Sequence, residues 1–134
     1  MMQILQPPGW ARPKGFSNGI AVRGGTTVYI AGQIGWTGDE RFEHKTFAGQ
    51  FRQAIANIVA VLAQAGGKPE HIVRLTWYVL DKQEYLASLR EVGAAYREII
   101  GRHYPAMAVV QVTGLIEPEA RLEIEATAVI PDPA

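Results

Sequence analysis

Apolar side chains recur along this chain with two different periods, and the switches between them mark out its elements. Phe47, Phe51, Ile55, Ile58, Leu62 and Ala65 share one stripe of a 3.6-residue helix, the spacing an amphipathic helix needs to cover a core. Thr46 stands in the N-cap position and Gly66-Gly67 supply the stop. A second stripe runs through Tyr85, Leu89, Val92, Tyr96 and Ile99 or Ile100 and ends at Gly101. It starts at Asp81 with Glu84 three residues on, the pattern of a capping box. Residues 20–23, 27–33, 71–80, 106–113 and 121–130 read as strands from their β-branched and aromatic content. Gly24-Gly25 between the first two signals a tight hairpin. The order ββαβαββ predicts one α+β domain over residues 15–134, with two helices on one face of a mixed sheet. Residues 1–14 form an irregular N-terminal arm, because Pro7, Pro8 and Pro13 oppose regular structure.

Alternation along the strands sorts their side chains onto two faces. Val73, Leu75, Trp77 and Val79, then Ala108, Val110 and Val112, then Leu122, Ile124, Ala126, Ala128 and Ile130 make an apolar face for the helices. The opposite face holds Arg74, Thr76 and Tyr78, then Met107, Val109, Gln111 and Thr113, then Arg121, Glu123, Glu125, Thr127 and Val129. That set is too apolar for a face open to water and too charged for a core, and it suits a surface between subunits with a polar pocket in it. A solvated face with scattered apolar residues is the alternative.

Composition narrows the function classes. The chain has 134 residues, 48% of them apolar and 19% charged, which fits a globular domain and excludes a disordered one. It has no cysteine, so disulfides, thiolate metal sites and cysteine nucleophiles are absent, and a cytoplasmic location is the simplest expectation. Thirteen basic residues balance thirteen acidic ones. Without a basic surplus a nucleic-acid partner is not expected. No apolar run approaches the roughly 20 residues of a membrane helix, and no signal peptide is recognisable, so no membrane association is expected.

Elimination leaves little classical catalytic chemistry. His44, His71 and His103 stand far apart and have no metal-ligand spacing. Ser17 and Ser88 lie outside any GxSxG elbow, and the glycines match neither a Walker loop nor a dinucleotide fingerprint. Neither a histidine metal site nor a nucleotide cofactor is expected from these patterns. What remains is Glu123 with Glu125, on one face of a strand about 6.5 Å apart. One of them serves as general base toward a water in an oligomer cleft, or both are structural carboxylates bridging to Arg74 or Arg121.

Several stretches together are similar to one family. They are Gly15-Phe16-Ser17-Asn18-Gly19, Ile30-Ala31-Gly32-Gln33-Ile34, Gln53, Ala54 and Asn57 followed by Leu62 and Ala65-Gly66, then Thr76, Val79 and Asp81, Tyr104-Pro105-Ala106, and Leu122-Glu123-Ile124-Glu125-Ala126. In their order and spacing the chain resembles, over about residues 15–130, the Rid family of reactive-intermediate deaminases, also called endoribonuclease L-PSP-like proteins. The resemblance implies a chorismate-mutase-like fold and a homotrimer whose small-molecule pockets lie between neighbouring subunits. It implies hydrolysis of enamines and imines to a keto acid and ammonia, without a metal or organic cofactor. Glu123 corresponds to the glutamate that positions water, and Phe16, Ala31, Gly32, Gln33 and Met107 fall at substrate-binding positions.

Three of those positions depart from the family pattern. Phe16 replaces a tyrosine, Ala31 a serine, and Met107 the arginine that binds the substrate carboxylate. Methionine cannot make that bidentate contact, so the expected substrate is an imine or enamine other than a small imino acid. Arg102, His103 and Arg121 are the candidates for a substitute cation. A non-catalytic trimer that binds a small metabolite is the alternative function. Ribonuclease activity has the neutral charge and the lack of a paired-histidine or histidine-lysine site against it.

Overall fold

A computed structural model describes residues 2–134. Strands β1 (Met2–Leu5), β2 (Gly19–Val22) and β3 (Thr26–Ile34) precede helix α1 (Phe47–Ala63). A single 3-10 turn at Pro69–His71 leads into β4 (Ile72–Val79), and helices α2 (Lys82–Ala87) and α3 (Leu89–Ile99) connect it to β5 (Ala106–Gln111). Strand β6 (Leu122–Ile130) closes the domain. Four strands form a mixed sheet in the order β3-β6-β4-β5, antiparallel except for the β4–β5 pair. The parallel pair needs a crossover, and α2 and α3 provide it.

The core lies between this sheet and α1, as the helical stripe requires. Phe51, Ile55, Ile58 and Leu62 are fully buried against Leu75, Leu122, Ile124 and Ala128. Thr46 caps α1 by accepting the Gly49 amide at 3.1 Å, and Gly67 N–H reaches the Leu62 carbonyl beyond its C-terminus at 3.1 Å. The predicted α+β architecture holds, with six local differences.

The arm is not irregular throughout: Met2–Leu5 pairs antiparallel with β2, and the prolines come only after it. Strand β2 therefore does not form a hairpin ladder with β3. Gly24 and Gly25 do turn the chain at positive φ, 67° and 80°, but Gly25 N–H bonds to Asp132 Oδ2 at 3.1 Å, while β3 pairs with β6. A turn signal reverses the chain without choosing its partner. A register shift between Ile72 and Arg74 in the β4–β6 ladder puts Ile72 rather than Val73 in the core, as an inserted residue resets alternation.

The second helix breaks in two at Ser88, whose hydroxyl donates to the Glu84 carbonyl at 2.8 Å and whose φ and ψ of −105° and 6° leave the helical region. The capping box is only half present. Asp81 Oδ1 accepts the Gln83 amide at 2.9 Å, but Glu84 turns instead to Arg121, Nε to Oε1 2.9 Å.

The faces of β5 are the reverse of those predicted. In parallel register Met107 sits beside Leu75 and Val109 beside Trp77, so Met107 and Val109 face the helices and pack against the core, while Ala108 and Val110 are exposed. Alternation cannot choose when both faces of a strand are apolar.

Tyr96 ties α3 to the chain ahead of β5. It is 6% exposed, stacks on Tyr104 with centroids 5.6 Å apart, and donates to the His103 carbonyl at 2.6 Å. Burial pushes its phenol well above the ordinary 10.0. Below that value the native and unfolded chains are both protonated there, and above it only the unfolded chain releases the proton. Stability is therefore lost as pH rises past 10.0. Burial raises Tyr85 in the same direction. Urea midpoints measured from about pH 8 to about pH 11 should fall. In Tyr96→Phe the fall should be shallower, from a starting stability about 1 kcal/mol lower for the lost hydrogen bond.

Candidate functional site

The sheet divides the candidate residues between two places. On the face away from the helices, Glu123 pairs with Tyr78 and Glu125 with Thr76 across the β4–β6 ladder. Tyr78 donates to Glu125 Oε1 at 2.8 Å, and that bond raises the phenol above its usual range. Arg121 is held by Glu84, so neither Arg74 nor Arg121 bridges to Glu123 or Glu125 among the described residues. Glu125 thus has a structural partner. Glu123, half-buried, has no hydrogen-bond partner among the described residues.

Glu123 is placed by β3. The β3–β6 register shifts between Ile30 and Gln33, and Gly32 comes directly under the Glu123 side chain. A β-carbon at Gly32 would lie 2.8 Å from the carboxyl carbon and 2.9 Å from Cγ. Any other residue would displace the glutamate. Ala31 and Gly32 are exposed beside it, and Gln33 turns its amide back to the Ala31 carbonyl at 3.1 Å.

Buried polar groups brace this edge. Gln50, 1% exposed, donates to the carbonyls of His44 (3.1 Å) and Glu119 (2.9 Å) and accepts the Arg121 amide at 2.7 Å. It ties the start of β6 to α1 with every bond of its amide oxygen and nitrogen on backbone. Half-buried Asn57 ties the end of β3 to α1, donating to the Trp36 carbonyl at 2.8 Å and accepting from the Gln53 amide at 2.8 Å.

Phe16 and Met107 meet on the other side of the sheet. Ser17 donates its hydroxyl to the Tyr104 carbonyl at 2.5 Å and its amide to the Pro105 carbonyl at 3.1 Å. This pins the chain before β2 against the start of β5 and sets Phe16 at the mouth of a cavity of about 570 Å³. Trp77, Tyr85, Val92, Tyr104, Met107 and Val109 line its interior. The volume and the aromatic wall suit a small organic molecule. None of the three expected substitute cations lines this cavity. Arg102 and His103 line a neighbouring one, where His103 Nε2 lies 2.6 Å from the Ile72 carbonyl oxygen. Lys14 and Arg97 line it instead. Sequence reasoning passed over both, although Arg97 follows Tyr96 on the flank of the second helical stripe.

Fold and site define a class: a helix-backed mixed sheet carrying an unpartnered glutamate over a glycine on one face and an aromatic cavity on the other. The Endoribonuclease L-PSP family profile matches residues 11–130, and the chain belongs to this family, which includes the RutC and Rid proteins. A RutC family protein of Pyrococcus horikoshii is 33% identical over 115 residues, covering 81% of this chain and 82% of the relative. A 2-iminobutanoate/2-iminopropanoate deaminase of Dermatophagoides farinae is 30% identical over 118 residues, covering 82% and 83%. Among solved structures, the Rid family protein YyfB of Yersinia pestis, whose function is unknown, superposes with a TM-score of 0.85 at 30% identity, covering 96% of this chain and 98% of that one. RidA from a Psychrobacter species superposes with a TM-score of 0.68 at 29% identity, covering 96% and 99%. Among the described residues no helix is long and apolar enough to cross a membrane, and no cluster of metal-ligating side chains occurs.

Proposed function

We propose that the protein hydrolyses reactive enamines or imines, releasing ammonia, at a site that two neighbouring subunits of a homotrimer complete together. The observation that carries this reading is the Glu123 carboxylate, seated over Gly32 and without a hydrogen-bond partner among the described residues. In the reaction Glu123 accepts a hydrogen bond from a water and aims it at the C=N carbon. The C–O bond forms as one proton of the water passes to nitrogen, and the resulting carbinolamine gives its hydroxyl proton to the amine as the C–N bond breaks, leaving a carbonyl compound and ammonia. An enamine enters the same route as its imine tautomer.

A single chain holds Glu123 and the cavity of Phe16 and Met107 on opposite faces of one sheet. No substrate reaches both within that chain. A second copy, laying its Ala31-Gly32-Gln33 edge and Glu123 against the mouth of the cavity, supplies the missing half. Homo-oligomers with closed rings offer such head-to-tail contacts. The Dermatophagoides relative, a 2-iminobutanoate/2-iminopropanoate deaminase, supports the reaction class. Met107, in place of an arginine, favours a substrate other than a small imino acid.

The test is a panel of imines generated in situ, either from amino acids by an amino-acid oxidase or from amines and carbonyl compounds. The expected result is faster disappearance of aromatic or branched members with the protein than without it, and a weak effect on 2-iminopropanoate. Met107→Arg should raise activity on 2-iminopropanoate by about tenfold or more, since a charge-assisted carboxylate contact contributes at least that much. No acceleration of any member would contradict the proposal.

A further inference from the structure

The cavity beside Met107 has a charge pattern of its own. Its two charged lining residues, Lys14 and Arg97, are both cations, and no acidic side chain lines it. Neither forms an ion pair among the described residues. Both are exposed to solvent at its rim, and its other walls are mainly apolar and aromatic.

The exposed side chain of Arg97 lies back along its own helix. Gly93 also lines the cavity, and a β-carbon built on it would lie 3.3 Å from Arg97 Nη1. The guanidinium therefore folds back one turn along α3 and lies over the bare backbone at Gly93. A glycine in a helix interior costs about 1 kcal/mol relative to alanine. Here it leaves room for the guanidinium along the cavity wall. A further donor stands within the wall: Trp77 is 4% exposed, and its Nε1–H has no hydrogen-bond partner among the described residues.

We propose that this cavity binds an amphipathic anion, a carboxylate carried on an aromatic or branched apolar body, with the carboxylate at Arg97 and Lys14 and the body against Trp77, Phe16 and Tyr104. The anion-binding position moves from β5, where Met107 stands, to α3 and the N-terminal arm. The ligand is correspondingly longer than a small imino acid. As a statement about the substrate it rests on the hydrolase reading, but as a statement about binding it stands without catalysis.

The experiment measures binding alone, by calorimetric titration of 3-phenylpropionate, its neutral counterpart 3-phenylpropanol, and acetate. The acid should bind at least about tenfold more tightly than the alcohol, as expected for a charge-assisted contact. Acetate, which lacks the apolar body, should bind far more weakly than either. Arg97→Gln should reduce affinity for the acid by about five- to tenfold and leave the alcohol unchanged, and Lys14→Gln should do the same to a smaller extent. Added salt should weaken the acid selectively. Equal affinity for acid and alcohol would overturn the proposal, as would an unchanged acid affinity in Arg97→Gln or no binding of the acid. Binding of the acid without hydrolysis of any imine would uphold this inference and remove the hydrolase reading, so the two fail separately.

Discussion

Glu123→Gln should lower imine hydrolysis by about 100-fold or more, the usual contribution of a positioned acid–base group, with no change in assembly or melting temperature. The combination follows from how the residue is held. Its carboxylate makes no hydrogen bond among the described residues, so the isosteric amide breaks no hydrogen bond there. Were the glutamate structural, the substitution would cost stability and leave hydrolysis alone. Gly32→Val tests the same geometry from below. Its side chain needs the space of the Glu123 carboxyl group and should reduce activity comparably while Glu123 remains in the sequence. Glu125→Gln is the contrast, because Glu125 accepts the Tyr78 hydroxyl at 2.8 Å on an exposed face. It should shift the Tyr78 titration back toward 10.0 and change activity far less than Glu123→Gln.

The largest loss of stability is expected from Phe51→Ala, about 3–5 kcal/mol. Phe51 is fully buried in the second turn of α1 and stacks on Trp77 with centroids 4.8 Å apart and planes 28° apart. Truncation removes its burial and leaves a void between helix and sheet that the flanking Ile55 and Leu75 cannot fill without strain. Because Trp77 also lines the ligand cavity, affinity for 3-phenylpropionate should fall as well. Val61→Ala on the outer side of the same helix, 43% exposed, should stay within about 0.5 kcal/mol. Urea denaturation of the two variants measures the difference, and a loss below about 2 kcal/mol for Phe51→Ala would contradict the packing described.

Elements were legible in the sequence where one face was strongly apolar and the other was not. The stripe from Phe47 to Leu62 and the alternation of Leu122, Ile124, Ala126 and Ala128 each match a single buried face, so helix, strand and orientation could all be read. Strand β5 offered Met107 and Val109 against Ala108 and Val110, both apolar, and its orientation came from parallel pairing with β4. That pairing is a tertiary choice. The displacement of Val73 by Ile72 arises from a bulge, which periodicity cannot show. Glu84 left its cap for Arg121, 37 residues away, because a partly buried ion pair there outcompetes a local bond.

The residues of the candidate site were placed by the same local and tertiary factors. Glu123 and Gly32 came from the local strings around them, and the structure brings the two into contact. Phe16 and Met107 do line one cavity, but on the far face of the sheet from Glu123. The anticipated cations, Arg102, His103 and Arg121, are engaged or placed elsewhere. Lys14 and Arg97 have no sequence relation to each other. Only the packing of α3 beside the N-terminal arm brings them to one rim.

A site completed by a neighbouring subunit can be tested by complementation. Glu123→Gln chains and Met107→Trp chains, the latter with a filled cavity, should each be inactive alone. Mixed one to one and allowed to exchange subunits, they should recover about one quarter of wild-type hydrolysis, the fraction of interfaces in a closed ring that join an intact Glu123 to an open cavity. A mixture no more active than its separate components would contradict a site shared between subunits.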